Sequence, residues 1–182
     1  SHFKTIPFLL ISIIFNILFP LHTASGAETE AEAPNAPDGA AKRTVYVIQA
    51  AGNVEPGMAA FIERALKKAN EDPEALVVLE MDTFGGRVDS AFAIVDSVVN
   101  IPQGKTVAYV AKKAISAGAL IALACNDLAM KHHTTIGDCA PIIYSQEGPK
   151  MMGEKFQSPL RARFRSLAKR NGYPEALAEA MV

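Results

Sequence analysis

The 182-residue chain has only two cysteines, Cys125 and Cys139, too few to frame a fold with disulfides. Its formal net charge is −1, so no excess of either sign draws it to nucleic acid or to an acidic polymer. Histidine is scarce too. Of the four, His2 and His22 fall in the N-terminal apolar segment, while His132 and His133 share the polar run KHHTT, which reads as a solvated turn. Adjacent strand residues point to opposite faces, which argues against that pair as joint metal ligands. The apolar run from Ile6 to Leu21, interrupted by Pro7, Ser12, Asn16 and Pro20, is shorter than the ~20 residues a spanning helix needs. No internal repeat is present. What remains, 49% hydrophobic and 20% charged, suits one globular domain with a real core.

The N-terminus reads as an address. Lys4 precedes the apolar run, and Ser25-Gly26-Ala27 closes it with small residues at the −3 and −1 positions of a cleavage site. Residues 1–27 are therefore expected to be a secretory signal, with an uncleaved anchor as the other reading, and the rest of the chain to be exported. Residues 28–43, ETEAEAPNAPDGAAKR, are acidic, Ala/Pro-rich and aperiodic, as a flexible linker is. The folded domain, 44–182, starts near Thr44. The first residue is not Met, and the closing YPEALAEAMV reads as a helix without a C-cap signal, so a piece of a longer chain is expected.

From Thr44 onward strands and helices alternate. TVYVIQA is a β-branched run, and GMAAFIERALKKANE puts Met58, Phe61, Ile62, Ala65, Leu66 and Ala69 on one helical face. ALVVLEM is continuously apolar, which predicts a strand covered on both sides. DTFGG turns the chain into a helix with apolar spacing through Val88, Phe92, Val95 and Val99. KTVAYV is a third strand and, after a four-residue connection, SAGALIALACN is a helix of small residues. DLAMK is a short fourth strand, SQEGPKMMGE a loop, and a basic helix runs from about Lys155 to Asn171. This rhythm predicts an α/β fold of right-handed βαβ units around a parallel sheet.

Three pieces could make one site. Ser116 opens the small-residue helix, where unpaired N–H groups and the partial positive charge of a helix N-terminus suit an oxyanion. An N-cap serine explains the same residue without any chemistry. Gly85 and Gly86 follow a buried strand and can aim backbone N–H groups into a crevice at its carboxyl end, or simply make a βα turn. A serine nucleophile needs a base. With histidine scarce, lysines remain, and Lys155 starts a helix whose apolar positions are Phe156, Leu160, Phe164 and Leu167. A lysine base works only when its pKa falls from about 10.4 toward roughly 7 to 8, which demands a desolvated pocket. By composition and spacing alone, Lys155 reads as a surface lysine rather than a base.

DTFGGRVDSA, AISAGALIALACNDLAM, TTIGDCAP and GEKFQSPLRARFRSLA, in this order and spacing, resemble the membrane-bound serine proteases of the NfeD type. These are relatives of ClpP and of signal peptide peptidase A, often encoded beside a stomatin-like partner. The resemblance covers residues 44–182 and implies a ClpP/crotonase-like fold of stacked ββα units. It also implies a Ser–Lys dyad: Ser116 matches the serine of the family's S-A-G motif and Lys155 the lysine that begins its last helix. Gly85 and Gly86 match the pair whose backbone, with the N–H of Ala117, forms the oxyanion hole. A Clp-type triad would place its histidine shortly before the proline at 141, where this chain reads GDCAP. The family more often has proline where Phe84 stands, and KHHTT differs from its usual turn.

The resemblance thus implies an exported, membrane-associated serine endopeptidase, its protease domain periplasmic or otherwise extracytoplasmic. Membrane segments would lie outside this chain. A homo-oligomer is expected, and the implied substrate is a hydrophobic segment of a stomatin-like membrane protein, cleaved without metal or other cofactor. A crotonase-type acyl-thioester enzyme and a non-catalytic scaffold for a membrane partner are the competing readings. Three features invite other roles: Cys125 and Cys139 as a disulfide or two buried thiols, KHHTT as a metal site, and Arg161, Arg163, Arg165, Lys169 and Arg170 as a lipid-binding or a solvated face.

Overall fold

The computed structural model describes residues 43–182. The expected signal at 1–27 and the linker at 28–43, Arg43 excepted, lie outside the described residues.

The β-branched runs form the strands and the amphipathic runs the crossovers. In chain order these are β1 (Val45–Val54), α1 (Pro56–Ala69), β2 (Leu76–Gly86), α2 (Val88–Val99), β3 (Thr106–Ile115), α3 (Ala117–Ala124) and β4 (Asp127–Met130). Strands β1 to β4 pair in that order and all in parallel, while β5 (Thr135–Gly137) pairs with the far end of β3. The α/β class and the parallel sheet agree with the sequence.

Burial alternates along β2. Val77, Leu79, Met81 and Thr83 are buried, whereas Leu76, Val78, Glu80 and Asp82 are half-buried. The expectation of cover on both sides therefore fails, because the helices bury one face only. The rotation of α2 also differs from the sequence reading. Ala91, Ile94, Val95 and Val98 are its buried apolar residues, while Val88 is exposed and Phe92 and Val99 are half-buried. On α1, Ile62, Leu66 and Ala69 are buried and Phe61 is exposed.

All eight residues of α3 are buried. Their smallness is a packing requirement: a Cβ built on Gly118 would come within 2.6 Å of Thr83 Cγ2. The helix can thus press its backbone against β2, which carries its N-terminus up to the carboxyl end of that strand.

Beyond β5, the stretch SQEGPKMMGE, for which the sequence predicts a loop, is instead part of a pair of strands together with the three residues before it. β6 (Ile142–Ser145) and β7 (Gly148–Met151) form an antiparallel hairpin. Ser145 ties its turn by donating to the Gly148 carbonyl at 3.0 Å and accepting from the Glu147 N–H at 3.2 Å. Then α4 (Glu154–Asn171) buries Phe164, Leu167 and Ala168 and ends at Gly172, whose φ of 76° is the usual left-handed helix stop. Asn171 donates to the carbonyls of Leu123 and Ala124, which fastens the C-termini of α4 and α3 together. α5 (Glu175–Glu179) packs back on α4.

Candidate active site

Strand β3 runs into Ser116 without the expected connection. Its extra length is absorbed where the register with β2 slips between Met81 and Asp82, so that Asp82 faces Lys113. Ser116 then makes the whole turn into α3, at φ 54° and ψ −116°. A non-glycine residue in such a conformation costs on the order of 1–3 kcal/mol and persists only where its surroundings hold it. Here the Ser116 N–H donates to the Gly137 carbonyl at 2.8 Å, and its carbonyl accepts from the Ala119 N–H at 3.0 Å. The hydroxyl makes no capping bond. An N-cap role does not account for this serine.

The two glycines are not a free turn. β2 continues through them, pairing Gly85 with Asn53 and Gly86 with Val54, and the chain turns only at Arg87. A Cβ on Gly85 would meet Ser116 Cβ at 2.8 Å and the Ala117 nitrogen at 3.1 Å. Gly85 has a φ of 102°, which suits glycine and few other residues. Its N–H is already donated to Thr83 Oγ1 at 2.9 Å, and that hydroxyl donates in turn to the Gly52 carbonyl at 2.5 Å. Close approach is thus what Gly85 supplies. Ala117, first residue of α3, has an N–H with no partner among the described residues, as helix geometry requires of a first turn.

Ser116 lies between two cavities. On one side is an open groove of about 700 Å³, to which Gly85, Gly86, Phe84, Ile142, Tyr144 and Met151 contribute walls. On the other is a small apolar pocket of about 30 Å³ between α2, α3 and α4, lined among others by Ala91, Ala117, Leu120, Leu160 and Phe164. The structure therefore brings Ser116, Gly85, Gly86 and Ala117 together. Lys155 it keeps apart: on the first turn of α4 its side chain is exposed, lines neither cavity and has no hydrogen-bond partner among the described residues.

The groove's other walls were missed from the sequence. Ile142, Tyr144 and Met151 come from the unexpected hairpin. Asp138 lines the groove at a φ of 54°, a conformation that aspartate tolerates better than most residues. A single acidic residue between Gly137 and Cys139 was the only available signal for it.

Among the described residues no three His, Cys, Asp or Glu side chains converge as metal ligands would, and His132 and His133 are exposed. Both cysteines are free and buried. Desolvation pushes each thiol up to about 12, so neither supplies a thiolate at neutral pH. The arginines of α4 are mostly spent on carboxylates: Arg161 pairs with Glu154, Arg163 with Asp96 at 2.8 Å and Arg165 with Glu179 at 2.6 Å.

A parallel sheet with helices on one face, and a strained serine turning a strand into a buried helix beside a glycine pair, define a ClpP-like α/β fold. Likeness to solved structures agrees: ClpP1 from Listeria monocytogenes aligns over 75% of this chain and 76% of its own at a TM-score of 0.53 and 18% identity. The family described as NfeD1b, N-terminal domain, matches residues 44–182, and the chain belongs to that family. Membrane protein NfeD1b of Bacillus subtilis (strain 168) is 36% identical over 142 residues, 78% of this chain and 32% of that protein. Membrane-bound protease PH1510 of Pyrococcus horikoshii is 34% identical over 149 residues, 78% of this chain and 33% of that protein. This chain thus spans about a third of the length of these curated relatives. A serine-to-alanine mutant of the 1510-N membrane-bound stomatin-specific protease superposes with a TM-score of 0.72 at 33% identity, covering 78% of this chain and 70% of that one. A lysine-to-alanine mutant of the same protease, solved with a substrate peptide, superposes at 0.71. Among the described residues no helix is long and apolar enough to cross a membrane.

Proposed function

We propose that this domain is a membrane-associated serine endopeptidase in which Ser116 is the nucleophile and Lys155 the general base. The observation that carries the reading is the serine itself: uncapped, strained and opening onto a groove beside Gly86 and the N-terminus of α3. Neutral Lys155 takes the hydroxyl proton as Oγ attacks a peptide carbonyl, and the N–H groups of Gly86 and Ala117 hold the tetrahedral oxyanion. The lysine then protonates the leaving amine, and water releases the acyl-enzyme. The names of the relatives support a membrane protease acting on a stomatin-like protein. The apolar groove walls suit a hydrophobic segment of such a substrate, presented on the extracytoplasmic side, and a homo-oligomer remains part of the reading.

The dyad requires Lys155 to move. Its turn of α4 lacks one helical hydrogen bond, because Pro159 has no N–H to give to the Lys155 carbonyl. The hairpin just before it packs substantially only strand on strand. Closure of this segment over a bound peptide would bring the amine out of water and into the groove.

A serine-reactive phosphonate should label the wild-type chain at Ser116, and equal labelling of Ser116→Ala would sink the nucleophile. Lys155→Ala should lower turnover by at least ~10²-fold. Unimpaired turnover would remove the lysine. The exposure of Lys155 is also what a scaffold that only docks a membrane partner would show, and such a protein would bind that partner without labelling or cleavage.

A further inference from the structure

Phe84 is an apolar ring that the core does not use. It lies on the half-covered side of β2 and is 74% exposed, yet it is held in place. Lys113 sits over the ring, its Nζ 4.4 Å from the centroid. That ammonium is anchored in turn by Asp82 at 2.8 Å, whose second oxygen takes Lys112 at 2.9 Å. Lys113 and Asp82 are only about a quarter exposed, so the cation is committed to this position. A ring covered on one face by a cation, but still mostly exposed, has its other face and edges left over. Phe84 lines the groove that contains Ser116.

We propose that Phe84 is the specificity platform of the groove, receiving a bulky apolar or aromatic side chain of the bound peptide, and that Lys113, fixed by Asp82, is its positioning residue. This rests on the peptidase reading above. The chemistry favours an uncharged occupant. Lys113 already satisfies the negative π-face of the ring, so a second cation on the opposite face would gain little from it and be repelled. Ile142, Tyr144 and Met151, lining the same groove, supply further apolar surface to that occupant.

The test is a positional peptide library, with phosphonate labelling of Ser116 run on every variant. Wild type should prefer Phe, Tyr, Leu or Met over Ala at one peptide position by about tenfold in kcat/KM. Phe84→Ala should erase that preference, with the loss falling on KM more than on kcat, and Phe84→Tyr should restore it. Lys113→Met should blunt the preference and Lys113→Arg, which also stacks on an aromatic face, should recover it. Because the ring is exposed, Phe84→Ala should fold as wild type does, and a thermal melt checks it. If wild type turns over no peptide, affinity of the same peptides for Ser116→Ala carries the comparison. A preference for Lys or Arg, or a Phe84→Ala variant that keeps the wild-type preference or weakens all peptides equally, overturns the platform. Loss of labelling in wild type overturns the peptidase reading instead.

Discussion

The groove has two walls built in different ways. One joins the end of β2 to the start of α3, and there glycines leave no space for a side chain: Gly85 lies against Ser116 and the Ile115 carbonyl, Gly86 against the Val54 backbone, and Gly118 against the Thr83 methyl. The other wall is the β6–β7 hairpin, whose Ile142, Ile143, Tyr144 and Met151 are all more than half exposed. The first wall has no room to change shape, whereas the second has little to stop it. On the proposed mechanism the division is functional. The nucleophile and the oxyanion donors sit in the fixed wall, and the base follows the free one, so the reacting groups assemble only around an occupant.

The largest effects should come from placing a side chain in the fixed wall. A Cβ on Gly86 would lie 2.2 Å from the Val54 carbonyl oxygen, in a strand pair that cannot yield without parting β1 from β2. Gly86→Ala should lose roughly 3 kcal/mol or more in urea unfolding. Shortening the hairpin to a two-residue turn across residues 143–150 should cost under ~0.5 kcal/mol, since nothing beneath it loses cover, while abolishing turnover. If the two changes destabilise equally, the two walls do not differ as described.

A smaller effect separates strain from packing at Ser116. Glycine accepts φ 54° and ψ −116° without penalty, and alanine does not. Ser116→Gly should therefore be the more stable of the two inactive variants by ~1 kcal/mol, measured by chemical denaturation. A more stable Ser116→Ala would mean that the turn is relaxed, and that the serine is not held under tension by Gly137 and α3.

The same contrast decides what could be read from the sequence. Strand and helix alternation, the parallel sheet and the small-residue helix all follow from patterns of burial that local sequence carries. Gly85, Gly86, Ser116 and Ala117 stand out by residue type because close contact admits only small side chains, but the sequence did not show that the glycines lie inside β2 or that β3 runs directly into Ser116. The hairpin was not. IIYS and GPKM have no buried face to impose a period, and the glycine and proline near their turn look like any loop. The orientation of α2 was misread for another reason: Val88 and Ala91 are equally helical, and only the neighbouring α1 and α3 decide which of them is covered. Lys155 reads as a surface lysine by composition and spacing, and on the first turn of α4 its side chain is indeed exposed.

The finest measure of the fixed wall is Cys139. Its Sγ lies 3.5 Å from the Ser116 carbonyl oxygen, and it lines the small pocket under that serine. Burial, with the Asp138 carboxylate adding to it, pushes this thiol from 9.0 up to about 12. The raised value makes the folded state hold its proton where the unfolded state releases it. Stability is therefore intact below about pH 9 and drains away as pH rises toward 12, with Cys125 adding a second such group. At neutral pH the reactive thiolate is scarce and the reagent has no path to it. Iodoacetamide should leave Cys139 unmodified in native protein over the period in which a protease nicks the chain between Ser145 and Gly148, and should modify it once urea unfolds the domain. Labelling as fast as the nicking would mean that the floor beneath Ser116 opens as readily as the hairpin does, and the nucleophile would then be no better fixed than the base.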